Sequence, residues 1–174
     1  MSDLELEKTL MPNAAFTAAA CRIARLPRPK FNDVMASGDY PSAPTSQPGY
    51  PRVFELPDLI GLFLFARLNE RGLTVKQAGG IACRIVGQLK DAVNNGRELP
   101  EAVYIAHGMV GNSYCGPVQR TDDDKPDVNI LASHTVMPGG AEGILYSEIW
   151  NITNLRYEVE KGLAEESRIV GTDD

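Results

Sequence analysis

Cysteine is scarce in this chain: Cys21, Cys83 and Cys115 are the only three in 174 residues, odd in number and far apart. That excludes a disulfide-stapled scaffold and a Cys-x-x-Cys metal site, and it suits reduced thiols in a cytosol. Long hydrophobic runs are missing as well, since no apolar stretch reaches the roughly 18 residues that a bilayer crossing needs. The first residues, Met1-Ser2-Asp3-Leu4-Glu5-Leu6-Glu7, are acidic where a signal peptide would be basic. A cytoplasmic protein without membrane contact is expected, in which Asn151-Ile152-Thr153 matches a glycosylation acceptor by accident. Internal repeats and low-complexity segments are also absent. With 43% hydrophobic residues the chain can bury a real core, as one compact domain or two small ones.

The usual cofactor signatures are missing. Asp122-Asp123-Asp124 followed by Asp127 lacks the alternation, Gly and terminal Glu of a calcium loop, and reads as a solvated acidic loop. Pro138-Gly139-Gly140 has no Gly-Lys-Ser/Thr after it and reads as a turn. No cofactor and no metal are expected.

Charge is uneven along the chain. The net charge of −6 conceals +5 over residues 14–90, with ten Lys/Arg against five acids, and −8 over residues 101–174, with five against thirteen. Two halves of opposite sign suggest two tasks, the first of them compatible with a polyanion.

The chain is organised around residues 54–86. Pro57 suits a helix start and Asp58 its positive dipole end, after which Leu59, Ile60, Leu62, Phe63, Leu64 and Phe65 leave hardly any polar face before Arg67. Such a helix must be covered on more than one side, so Phe63 and Phe65 are expected at a junction between domains or subunits. Gly72 supplies a left-handed stop, and Thr74 with Gln77 makes a capping box that opens the next helix immediately.

Ahead of this hairpin, residues 1–13 read as a flexible leader. Thr17 is expected to cap a helix over Ala18 to Leu26, Pro27-Arg28-Pro29 to turn the chain, and Pro29 to start a second helix that stops at Gly38. Small residues such as Ala20 and Ala24 permit the close approach that a helix-turn-helix requires. Residues 40–53 carry four prolines and read as an extended loop or wing.

A turn cluster at residues 94–100 marks the expected boundary. Beyond it, residues 101–107, 128–136 and 143–152 read as strands of a small antiparallel sheet. Thr153 then caps a last helix with Leu155, Val159 and Leu163 as its apolar stripe, assigned to a dimer or domain interface.

Arg25, Arg28 and Lys30 gather where the second helix begins, a place where positive charge opposes the helix dipole unless a phosphate is bound. Asn32, one turn further, has the groups for bidentate pairing with adenine. A competing chemistry would join Cys115 to His107 or His134 as thiol and base, but sequence spacing does not bring them together. No enzyme activity is expected.

The run from Phe16-Thr17 through Ile23-Ala24-Arg25-Leu26, the turn, Phe31 to Gly38, Phe54-Glu55-Leu56-Pro57-Asp58-Leu59 and Leu68-Asn69-Glu70-Arg71-Gly72-Leu73-Thr74-Val75 resembles the DNA-binding domain of MerR-type transcription regulators. The resemblance covers residues 14 to about 90 and rests on the order of parts and on the Leu-x-x-x-Gly-Leu-Thr-Val corner. It implies a winged helix-turn-helix with residues 29–37 in the major groove and the loop through Tyr50 to Arg52 as the wing. Asn32 and Asp33 stand where that family usually has an aromatic and an arginine, and no long coiled-coil helix follows residue 90.

The expected whole is an α+β chain: a leader at 1–13, a mostly helical winged helix-turn-helix at 14–93, and an acidic α+β region at 101–174 with a small antiparallel sheet and a C-terminal helix. The expected function is that of a bacterial or phage-type transcription regulator, binding double-stranded DNA as a homodimer on an inverted repeat. Arg25, Arg28, Lys30, Asn32, Tyr50 and Arg52 are its expected DNA contacts, and the C-terminal region the seat of a protein or small-molecule effector. The alternative within DNA binding is an excisionase-like bending factor.

Overall fold

The computed structural model describes residues 14–46, 48, 50–108, 111, 113–118 and 144–170. Among them stand five helices and two small antiparallel sheets, an α+β architecture. The chain divides into two compact units, Met1–Val86 with Asn154–Asp174, and Gly87–Thr153. It thus leaves its first unit, builds the second, and returns.

The first unit opens with a strand of three residues, β1 (Ala14–Phe16), paired antiparallel with β2 (Val53–Glu55) so that Ala15 faces Phe54. β1 runs directly into α1 (Thr17–Ile23), whose N-cap is the extended Phe16. Thr17 is therefore the first helical residue rather than the cap, and no side chain caps this helix. α2 (Arg28–Ser37) follows the turn and ends at Gly38, left-handed at φ 73°.

α3 (Leu56–Glu70) begins with a reciprocal box in which Glu55 accepts from the third helical amide and Asp58 accepts from the Glu55 amide at 3.2 Å. Gly72, at φ 102°, stops it. Thr74 and Gln77 then cap each other, amide to side chain in both directions at 3.1 and 3.3 Å, and α4 (Val75–Asn94) starts at once. The αα corner is the one expected.

Eleven of the fifteen residues of α3 are buried, so it is the core of the unit and the other segments wrap it. Phe31 of α2 meets Phe54 edge-on with ring centroids 6.0 Å apart, and Tyr40 packs on Phe65 at 5.3 Å. Each such side chain contributes about 1.5–3 kcal/mol by leaving water. Two glycines permit the closest approaches. A Cβ on Gly61 would lie 2.0 Å from Val86 Cγ2, and one on Gly79 would lie 1.9 Å from the carbonyl oxygen of Asp39.

The last helix, α5 (Ile152–Val170), adds its residues from Asn154 onward to this same unit. Gly162 lies against Ile23, where an added Cβ would be 3.1 Å away. The residues expected at a dimer or domain interface lie in this unit. Phe63 and Phe65 are 7% and 0% exposed, and Leu155, Val159 and Leu163 are buried too, all inside the first unit of a single chain. The apolar surplus that pointed to a second subunit is covered by the chain itself.

The second unit is a three-stranded sheet in the order β4-β3-β5, with β3 (Ala102–Gly108) between β4 (Ser113–Pro117) and β5 (Ile144–Asn151), all antiparallel. β3 and β5 match two expected strands; β4 was not expected, and the expected strand 128–136 lies outside the described residues. The Tyr104 ring lies over Gly116, which a Cβ would approach to 3.0 Å. Among the described residues no helix is long and apolar enough to cross a membrane.

Candidate nucleic-acid interface

α2 buries Phe31 and Val34 and turns Arg28, Asn32 and Ala36 outward in one i, i+4 row, with Pro29 and Asp33 beside them. Arg28 is the first residue of the helix. Its Nε donates to Asn32 Oδ1 at 3.3 Å, and its guanidinium carbon stands 5.8 Å from the centroid of the Phe31 ring. The two outward polar groups expected to act separately are therefore linked to each other. The helix start has no acidic residue in its first turn and no side-chain cap.

Arg25 ends the turn in a left-handed conformation, φ 53°, unusual for a residue with a side chain. Its guanidinium is exposed and only loosely opposed, 3.9 Å from Glu158 Oε2. Lys30 is placed differently from expectation. Its Nζ donates to Asn69 Oδ1, and Asn69 Nδ2 donates to the Leu73 carbonyl at 2.9 Å, so this lysine ties α2 to the corner after α3. The lysine is half-buried there. Of the loop residues, Tyr50 is exposed and Arg52 is half-buried, with its Nε shielded and without a hydrogen-bond partner.

The structure adds Arg22, which sequence reading passed over. It forms a fork on Glu166, Nε to Oε1 at 2.8 Å and Nη2 to Oε2 at 2.5 Å, and this hydrogen bonding raises its pKa further. Arg22, Arg25 and Arg28 rim a hollow of about 380 Å³ floored by Cys21 and Leu26. Burial pushes the Cys21 thiol above its usual value, with the nearby Arg28 offsetting part of that rise. A thiol held neutral is packing, not a nucleophile. The signal for Arg22 was its three-residue spacing from Arg25; its acidic partner, 144 residues away, had none.

The competing thiol chemistry finds a different arrangement. His107 is buried, stacked on Tyr146 at 4.4 Å, with Nδ1 3.2 Å from Ser113 Oγ and Nε2 3.5 Å from Glu148 Oε1. Cys115 faces Ile105 across the ladder, two positions from His107 along the strand, while Ser113 is the residue opposite His107. His134, the Asp122–Asp124 run and Asp127 lie outside the described residues. Among the described residues no group of three metal-ligating side chains converges.

No protein-family model matches the chain, and no curated protein matches it either.

Proposed function

We propose that this chain is a sequence-specific DNA-binding transcription regulator of MerR-like type, reading an inverted repeat as a homodimer. Residues 14–93 form its winged helix-turn-helix, with α2 in the major groove and the loop through Tyr50 and Arg52 on the backbone. The observation that carries this reading is the outward face of α2. It presents Arg28, Asn32 and the small Ala36 in one row, at an uncapped helix start flanked by the exposed Arg25. A phosphate there would meet both the helix dipole and two guanidinium groups.

The roles divide by chemistry. Arg25 and Arg28 anchor phosphate whatever the sequence, while Asn32 reads base edges, adenine being its natural partner. Lys30 acts indirectly, by fixing the angle of α2. The acidic region 101–174 serves self-association or an effector, in a cytoplasmic protein.

Titrations on operator and scrambled duplex at several salt concentrations test the division. Arg28→Ala weakens both complexes and lowers the salt slope by about one unit per lost phosphate contact. Asn32→Ala costs about 1–3 kcal/mol on the true site alone and leaves the slope in place. An unchanged slope in Arg28→Ala would mean that α2 does not lie on DNA in this orientation.

A further inference from the structure

Sheet edges are open templates for another chain, and folded proteins usually blunt them with short strands, proline, lysine or a bulge. The two edges of the second unit's sheet are treated differently. β4 is five residues long and ends in Pro117. β5 is eight residues long and contains neither proline nor a basic residue; its one charged side chain, Glu148, is directed at His107. The sheet order leaves its outer side without a neighbouring strand among the described residues.

β5 is also where exposed apolar surface concentrates. Leu145 is 67% exposed, Tyr146 50% and Ile149 52%, three of the seven large exposed hydrophobics among the described residues. Leu145 and Ile149 are four apart, hence on the same face of the strand.

We infer that β5 pairs with β5 of a second copy, antiparallel about a two-fold axis at Ser147, joining two three-stranded sheets into one of six strands. Self-complementarity selects both the occupant and the register. With Ser147 opposite Ser147, Leu145 of each copy faces Ile149 of the other, and Tyr146 faces Glu148. A shift of one position would set Glu148 against Glu148, which like-charge repulsion disfavours. An isologous contact of this kind closes with two copies. This is the self-association that the DNA-binding reading calls for, on a surface other than the buried Phe63, Phe65, Leu155, Val159 and Leu163; it rests on that reading only for its purpose.

The test uses the full chain without DNA, so it can fail or succeed independently of the proposed function. Light scattering at micromolar concentration should give twice the 18.9 kDa chain mass. Leu145→Lys with Ile149→Lys should return it to the single-chain mass with an unchanged circular dichroism spectrum, as both positions are exposed. Ser147→Cys places two sulfurs across the axis and should crosslink nearly completely on oxidation, where Leu145→Cys and the wild type do not. A wild-type monomer, a dimer that survives the double lysine substitution, or crosslinking of the Leu145→Cys variant in preference to Ser147→Cys would each overturn the inference.

Discussion

Gly79 and Gly80 stand side by side in α4, and substitution of each by alanine should move stability in opposite directions. Both changes gain about 1 kcal/mol of helix propensity. At Gly80 nothing lies within 4 Å of the new methyl group, so that gain is unopposed. At Gly79 the methyl carbon would lie 1.9 Å from the Asp39 carbonyl oxygen and 3.0 Å from its carbon. An ordinary carbon–oxygen contact is about 3.3 Å, so the backbone must retreat by more than an ångström. That backbone leads into Tyr40, buried against Phe65. Overpacking of this kind costs typically about 1–3 kcal/mol and occasionally more, and here the rigid acceptor puts it at the upper end. Gly79→Ala should therefore fall about 1–2 kcal/mol below wild type once the helix gain is subtracted, and Gly80→Ala should rise by up to about 1 kcal/mol. For a chain of this length each kcal/mol corresponds to about 2–4 °C in melting temperature. Urea unfolding followed by circular dichroism, with equal slopes for all three proteins, measures the difference. Equal upward shifts for both variants would refute the close packing of α4 on the segment after α2.

Two further outcomes follow from the same unit. Burial raises the pKa of Tyr40 and of Cys21, whose ordinary values are 10.0 and 9.0. The unfolded chain then releases protons that the native state retains. The stability is fully present below pH 9 and is lost as pH rises towards the raised pKa of each group, with a slope of at most about 1.4 kcal/mol per pH unit per group that ends at that raised pKa. Alkaline denaturation monitored by tyrosine absorbance should show this fall, and Tyr40→Phe should make it shallower; a stability flat to pH 11 would contradict the burial. Glu166→Gln leaves the half-exposed Arg22 without its fork, so stability should drop by at most about 1 kcal/mol, and less in high salt. A larger, salt-independent loss would mean that Glu166 does more than pair with Arg22.

What was legible in the sequence was what local rules decide. The corner between α3 and α4 follows from Gly72, Thr74 and Gln77 within six residues, and the stop at Gly38 from a single left-handed glycine. What was not legible depends on distant partners. β1 pairs with residues nearly forty positions away, which turned Phe16 rather than Thr17 into the cap of α1. Nothing in the sequence around Lys30 announces its hydrogen bond to Asn69, 39 residues away. β4, Ser-Tyr-Cys-Gly-Pro, has little strand propensity of its own and is held by its register on β3. An all-round apolar α3 calls equally for a second subunit or for a wrapping chain. Periodicity alone does not choose between them; the burial of Phe63 and Phe65 is decided by residues distant in sequence.

The return of the chain to its first unit has a consequence for biosynthesis. Arg22 and Ile23 emerge from the ribosome well before Glu166 and Gly162, the residues they meet, have been made. The unit that carries the proposed DNA-binding helices therefore stays incomplete until the second unit has been made, with the face of α1 that receives α5 open to water. Contacts separated by more than a hundred residues also slow folding, since the intervening chain must close as a loop before they form. A ribosome that stalls or a protease that cuts near residue 153 would thus damage the first unit from a point outside its own helices α1 to α3, leaving an apolar groove for chaperones to recognise.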